Sequence, residues 1–180
     1  MRVYTIQSKD LKMCGRVFPD ATRINHPNAV ECYKRLFSDY NERFKTNFTS
    51  FFWGFSRLLV GPDLDDILYR MTEMCCSYKG NILYLLEIPD ELVLQTDFYN
   101  FSDEIYASEC PGDEFEHSWE NIYKDRGHEM QCIFPYLEES WIRFKMDLDA
   151  QKASEIVHNA SLRSYSDLTG ALDAKVISVF

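Results

Sequence analysis

The run NILYLLEI at residues 81–88, bracketed by Gly80 and Pro89, is apolar at nearly every position. A strand with one wet face alternates apolar and polar side chains; this one does not, so it must be covered on both sides. Placed at an open sheet edge, such a strand would invite pairing with other chains, so it belongs in a sheet interior. The chain therefore has to supply covering layers, and its helical patterns do so. Val30, Tyr33, Phe37, Tyr40 and Phe44 recur at three- and four-residue spacing and share one face of a helix. Pro62 opens a second helix, with Leu64, Ile67, Leu68, Met71, Met74, Cys75 and Tyr78 on its inner face and Gly80 as its stop. At 180 residues and 46% apolar content, the chain can bury one substantial core. The expectation is a single α+β domain over residues 1–180, with mixed sheets and packed helices.

The other segments fit around this centre. RVYTIQ (2–7) reads as a first strand, with Ser8 capping a short helix that ends at Gly15. Residues 18–28 are a loop, and NFTSFFWGF (47–55) is an aromatic, β-branched strand. After a turn at Pro89-Asp90, ELVLQ is extended and Asp97 caps a helix from Phe98 to about Ala107. An acidic loop, SECPGDEFEH, leads to a short helix around Trp119, Ile122 and Tyr123. Strands follow at the start of HEMQCIFPYLEESWI (128–142) and in WIRFKMDL, then a polar helix over about 149–159 and a last strand, AKVISVF.

Charge and motifs narrow the function classes. Nineteen basic against 29 acidic side chains give a formal charge of −10, the wrong sign for a protein that binds nucleic acid by neutralising phosphates. No segment has the roughly 18 apolar residues of a membrane span. The opening MRVYTIQSKD lacks the apolar core of a secretory signal, which makes the cytoplasm the default compartment. Six cysteines are accordingly read as free, reduced and largely buried. Glycine-rich nucleotide loops, H-E-x-x-H, G-x-S-x-G and C-x-x-C are all absent. Cys110, His117, His128 and Cys132 lack the paired short spacings of a zinc site and read as two buried thiols and two loop histidines.

HEMQCIFPYLEESWI carries the one pattern that points to chemistry. Side chains two apart on a strand point the same way, so Glu129 and Gln131 share a face while Met130 and Cys132 take the other. Polar groups at that position need either solvent, as at an exposed strand end, or a partner in a cleft.

VYTIQ, FFWGF, LEIPDELVLQTDF, SWENIY and QCIFPYLEESWI, in this order, resemble the bacterial domain-of-unknown-function family numbered 3841, as a divergent member. The segment at Trp53 departs from the family's Pro-Ile-Trp-Ala-Trp pattern, and residues 61–80 look like an added helix. The element order is also similar to that of ADP-ribosyltransferase-like folds, which hold nicotinamide adenine dinucleotide (NAD) between two small sheets. That second resemblance implies that Gln131, with Glu129, would bind the nicotinamide ribose. Arg2, Thr5 or Gln7 would face them from the first strand, and Phe52 or Trp53 would stack on the nicotinamide ring. NAD would be the substrate, with no metal. The alternative is a non-enzymatic acidic protein whose aromatic residues form a patch for a protein partner.

Overall fold

The computed structural model describes residues 1–20, 29–60, 64–73, 81–107 and 118–148. The fold is α+β. Among the described residues, eight strands, β1 (Arg2–Ser8), β2 (Arg16–Val17), β3 (Phe52–Arg57), β4 (Asn81–Glu87), β5 (Leu94–Asp97), β6 (Met130–Phe134), β7 (Leu137–Glu138) and β8 (Ile142–Leu148), accompany three helices. These are α1 (Ala29–Phe44), α2 (Leu64–Glu73) and α3 (Phe98–Ala107). Six strands form one sheet in the order β5-β6-β3-β1-β4-β8, and β2 pairs with β7 in a separate ribbon. The pairings described are antiparallel. β4 lies inside the sheet between β1 and β8, where its apolar sequence requires it to be.

Cross-strand register sorts the side chains onto two faces. Tyr4 stands opposite Phe55 and Leu85, and Phe55 opposite Gln131, which in turn faces Thr96. This face carries two apolar clusters. One gathers Tyr4, Phe55, Leu83 and Leu85 under Ile67, Leu68 and Met71 of α2. The other gathers Leu94 and Ile133 under Leu36 and Tyr40 of α1, Phe101 of α3, and Trp119 and Ile122 of the 3-10 turn Trp119–Tyr123. Full burial of one such leucine contributes about 1.5–3 kcal/mol. Val3, Phe52, Tyr84, Leu86, Cys132 and Phe134 point to the opposite face and pack with Leu137 and Trp141. Gln131 and Thr96 therefore lie where the two clusters of the first face meet.

Several local features differ from expectation. Residues 9–15 form no helix: Ser8 Oγ accepts the Asp10 amide at 3.2 Å, and the chain turns there. Leu11 and Met13 pack inward while Lys12 and Cys14 are exposed, an alternation that suits extended chain rather than a helix. β3 begins at Phe52 rather than at Asn47 because residues 45–48 turn the chain out of α1. Lys45 adopts a left-handed φ of 55°, and the Asn41 side chain bonds both the amide and the carbonyl of Phe48 at 2.8 Å. Cys14 is exposed, Cys32 intermediate and Cys132 buried, all three as free thiols. Burial pushes the Cys132 thiol up. Cys75, Cys76, Cys110 and His117 lie outside the described residues, as do the expected stop at Gly80 and the elements beyond residue 148.

Candidate functional site

β6 is buried along its whole length, and the polar side chains at its start are buried with it. Glu129 is 1% exposed and Gln131 2%, so neither sits at a solvated strand end as the sequence allowed. The cause is α2, which crosses this face and sets Arg70 against Glu129, with Nε 2.6 Å from Oε1. Arg70 lies at the border of the helix's apolar stripe, one position before Met71, so its stem packs inward while its guanidinium reaches the strand. Its second branch donates to the Tyr99 hydroxyl at 2.5 Å.

Tyr99 begins a chain of contacts on the other side. Its ring meets that of His128 edge-on, with centroids 5.2 Å apart. Nδ1 of His128 lies 3.4 Å from Oδ1 and 3.2 Å from Oδ2 of Asp97. Asp97 is fully buried and caps α3 by accepting the Asn100 amide at 3.0 Å. A register shift between Phe55 and Arg57 brings Arg57 opposite Met130; bulges of this kind re-aim side chains near sites. Arg57 then donates to the His128 carbonyl at 2.7 Å and forks onto Asp125 at 2.7 and 2.5 Å.

The Arg57 fork holds the Asp125 carboxyl down to about 2, with the Gly127 amide assisting. A depressed carboxylate stabilises the fold fully above its unfolded value and loses that contribution as pH falls through the folded one. Asp125 should accordingly titrate by NMR near 2, and Arg57→Ala should return it toward the ordinary 3.8. An unchanged midpoint in the variant would show that the fork does not form in solution.

Five side-chain atoms at the centre of the cluster make no hydrogen bond to any described residue. Thr96 Oγ1, Asp97 Oδ2, Glu129 Oε2 and both amide heteroatoms of Gln131 are buried without a hydrogen-bond partner, although Asp97 Oδ2 stands 3.2 Å from Nδ1 of His128. Because both ends of the amide are affected, flipping it changes nothing. An unpaired buried polar group costs about 1–3 kcal/mol, and cross-strand pairs such as Thr96 and Gln131 have Cβ atoms about 5 Å apart. The unpaired groups of Thr96 and Gln131 thus stand opposite one another across the strand pair, with Glu129 two residues before Gln131 on the same chain.

Of the residues implicated by the sequence, Glu129 and Gln131 come together and Trp53 shares their face. Trp53 lies between Tyr33 and Phe55, with centroids 6.0 and 6.1 Å away, inside an aromatic core. Phe52 points to the opposite face, against Phe134 at 5.8 Å. Thr5 and Gln7 take that opposite face too: Thr5 Oγ1 donates to the Trp53 carbonyl at 2.5 Å, and Gln7 Nε2 donates to Thr5 Oγ1 at 2.6 Å. Arg2 is exposed, opposite Glu87, with β3 standing between its strand and β6. Sequence reasoning missed Arg70, Thr96, Tyr99 and the pairing of His128 with Asp97. The available signal was that LQTD and HEMQ both break an apolar strand with polar residues near the same sheet end.

Among the described residues, no group of three or more His, Cys, Asp or Glu side chains is placed to hold a metal ion, and no helix is long and apolar enough to cross a membrane. Neither a family model, nor a curated protein, nor a solved structure matches the chain.

Proposed function

We propose that the chain binds NAD at the Glu129–Gln131 cluster and breaks the bond between its nicotinamide and ribose. The observation that carries this reading is the buried patch of unpaired groups: the Gln131 amide, Thr96 Oγ1 and Glu129 Oε2. A ribose presents adjacent hydroxyls, each able to donate and accept, and so suits a patch that mixes amide, hydroxyl and carboxylate. Loss of nicotinamide develops positive charge on the ribose, and an oriented carboxylate beside it stabilises that transition state. Arg70 engages Oε1 of Glu129, and Oε2 has no partner among the described residues. In this reading Arg70 of α2 and Tyr99 of α3 take the part that the resemblance gave to Arg2, Thr5 or Gln7.

Calorimetric titration with NAD, ADP-ribose and nicotinamide tests the reading. NAD and ADP-ribose should bind, nicotinamide alone weakly, and Gln131→Ala should weaken ADP-ribose by about tenfold or more, the loss of one to two hydrogen bonds. No heat with any of the three would remove NAD and leave the acidic interaction protein as the better reading.

A further inference from the structure

We propose that His128, oriented by Asp97, is the proton acceptor of this site, and that it activates water, making the chain a hydrolase of the nicotinamide–ribose bond; this rests on the NAD reading above. Two contacts orient the imidazole and a third holds its backbone. Asp97 faces Nδ1, the Tyr99 ring stands edge-on to it, and the His128 carbonyl is held by Arg57, which is itself clamped to Asp125. A carboxylate beside Nδ1 selects the tautomer with its proton there, which leaves the lone pair on Nε2. Asp97 is fully buried while His128 is 42% exposed, so the fixed end of the pair is inside and the basic end meets solvent. The ring of His128 meets that of Tyr99, whose hydroxyl accepts from the same Arg70 that holds Glu129, which ties this base to the residues assigned to the ribose.

In the reaction, the water oxygen bonds to the ribose C1′ as the C1′–nitrogen bond breaks. The electron pair leaves with the ring nitrogen, giving neutral nicotinamide, and the water proton passes to Nε2 of His128. The products are ADP-ribose and nicotinamide, and the proton returns to solvent. Asp97 acts through His128 and is a positioning residue.

Two measurements on the full chain decide the matter. Nitrogen-15 correlation spectra of the ring should show His128 as the Nδ1–H tautomer, shifting toward Nε2–H in Asp97→Asn. Nicotinamide release from NAD, followed chromatographically, should fall about 10²–10⁴-fold in His128→Gln, the usual contribution of a general base, while the calorimetric Kd for NAD changes less than twofold. Wild-type turnover by His128→Gln, an Nε2–H tautomer in the wild type, or NAD bound by the wild type but never hydrolysed would each overturn the proposal while leaving the binding reading intact. Absence of NAD binding to the wild type would overturn both.

Discussion

Arg70→Ala should lower the unfolding free energy by about 3–5 kcal/mol, the usual cost of removing one partner from a buried ion pair. The size follows from Glu129, which is 1% exposed and would keep a buried carboxylate with neither oxygen paired to the guanidinium. Arg70 itself is 13% exposed, so little solvent screening reduces the figure. Denaturant titration measures it directly. Arg70→Met together with Glu129→Leu should recover much of the loss, because matched apolar groups leave no charge behind. A single variant that unfolds at the wild-type midpoint would mean that the pair is solvated and that α2 does not close over β6.

Gly54→Val should be similarly damaging, for a reason of space rather than charge. A Cβ at position 54 would stand 2.5 Å from Val3 Cγ1 and 2.7 Å from the Tyr4 carbonyl oxygen. The carbonyl belongs to the backbone of β1 and cannot swing aside, so β1 and β3 would have to separate. Overpacking of a core commonly costs about 1–3 kcal/mol; here the added methyls raise the expected loss to the top of that range, with Gly54→Ala somewhat below. Thermal unfolding of the two variants would show the order. Equal stability of Gly54→Val and the wild type would refute the close approach of β1 to β3.

Both effects bear on what the sequence discloses. Four elements were legible: β1 from its strand-favouring residues, the helix over Ala29–Phe44 from its period, the interior position of β4 from its unbroken apolar run, and α3 from Asp97 at its cap. Residues 9–15 misled because Ser8 and Gly15 have the chemistry of helix ends, whereas Leu11 and Met13 are drawn individually into the core beneath the ribbon. At the site, the alternation of a strand sufficed to put Glu129 and Gln131 on one face. It could not show that α2 would bury them. Arg70 is 59 residues from Glu129, and His128 is 31 from Asp97, separations over which local pattern carries no information. The same holds for Thr5 and Phe52, whose facing depends on how β3 registers between β1 and β6.

The strand order of the sheet also bears on when the site comes into being. β6 lies between β5 and β3, both of which precede it in the chain, so the slot for residues 130–134 must be kept open until late in synthesis. Pairings of this separation are slow to form. The Thr96–Gln131 and Phe55–Gln131 contacts arise only at that insertion, as does the meeting of Arg70 with Glu129. A nascent or refolding chain therefore has its helices and the β1–β4 pair available before it has any ligand site. Recovery of ligand binding after dilution from denaturant should lag behind recovery of helical signal, making the site a reporter of the insertion of β6 between β5 and β3.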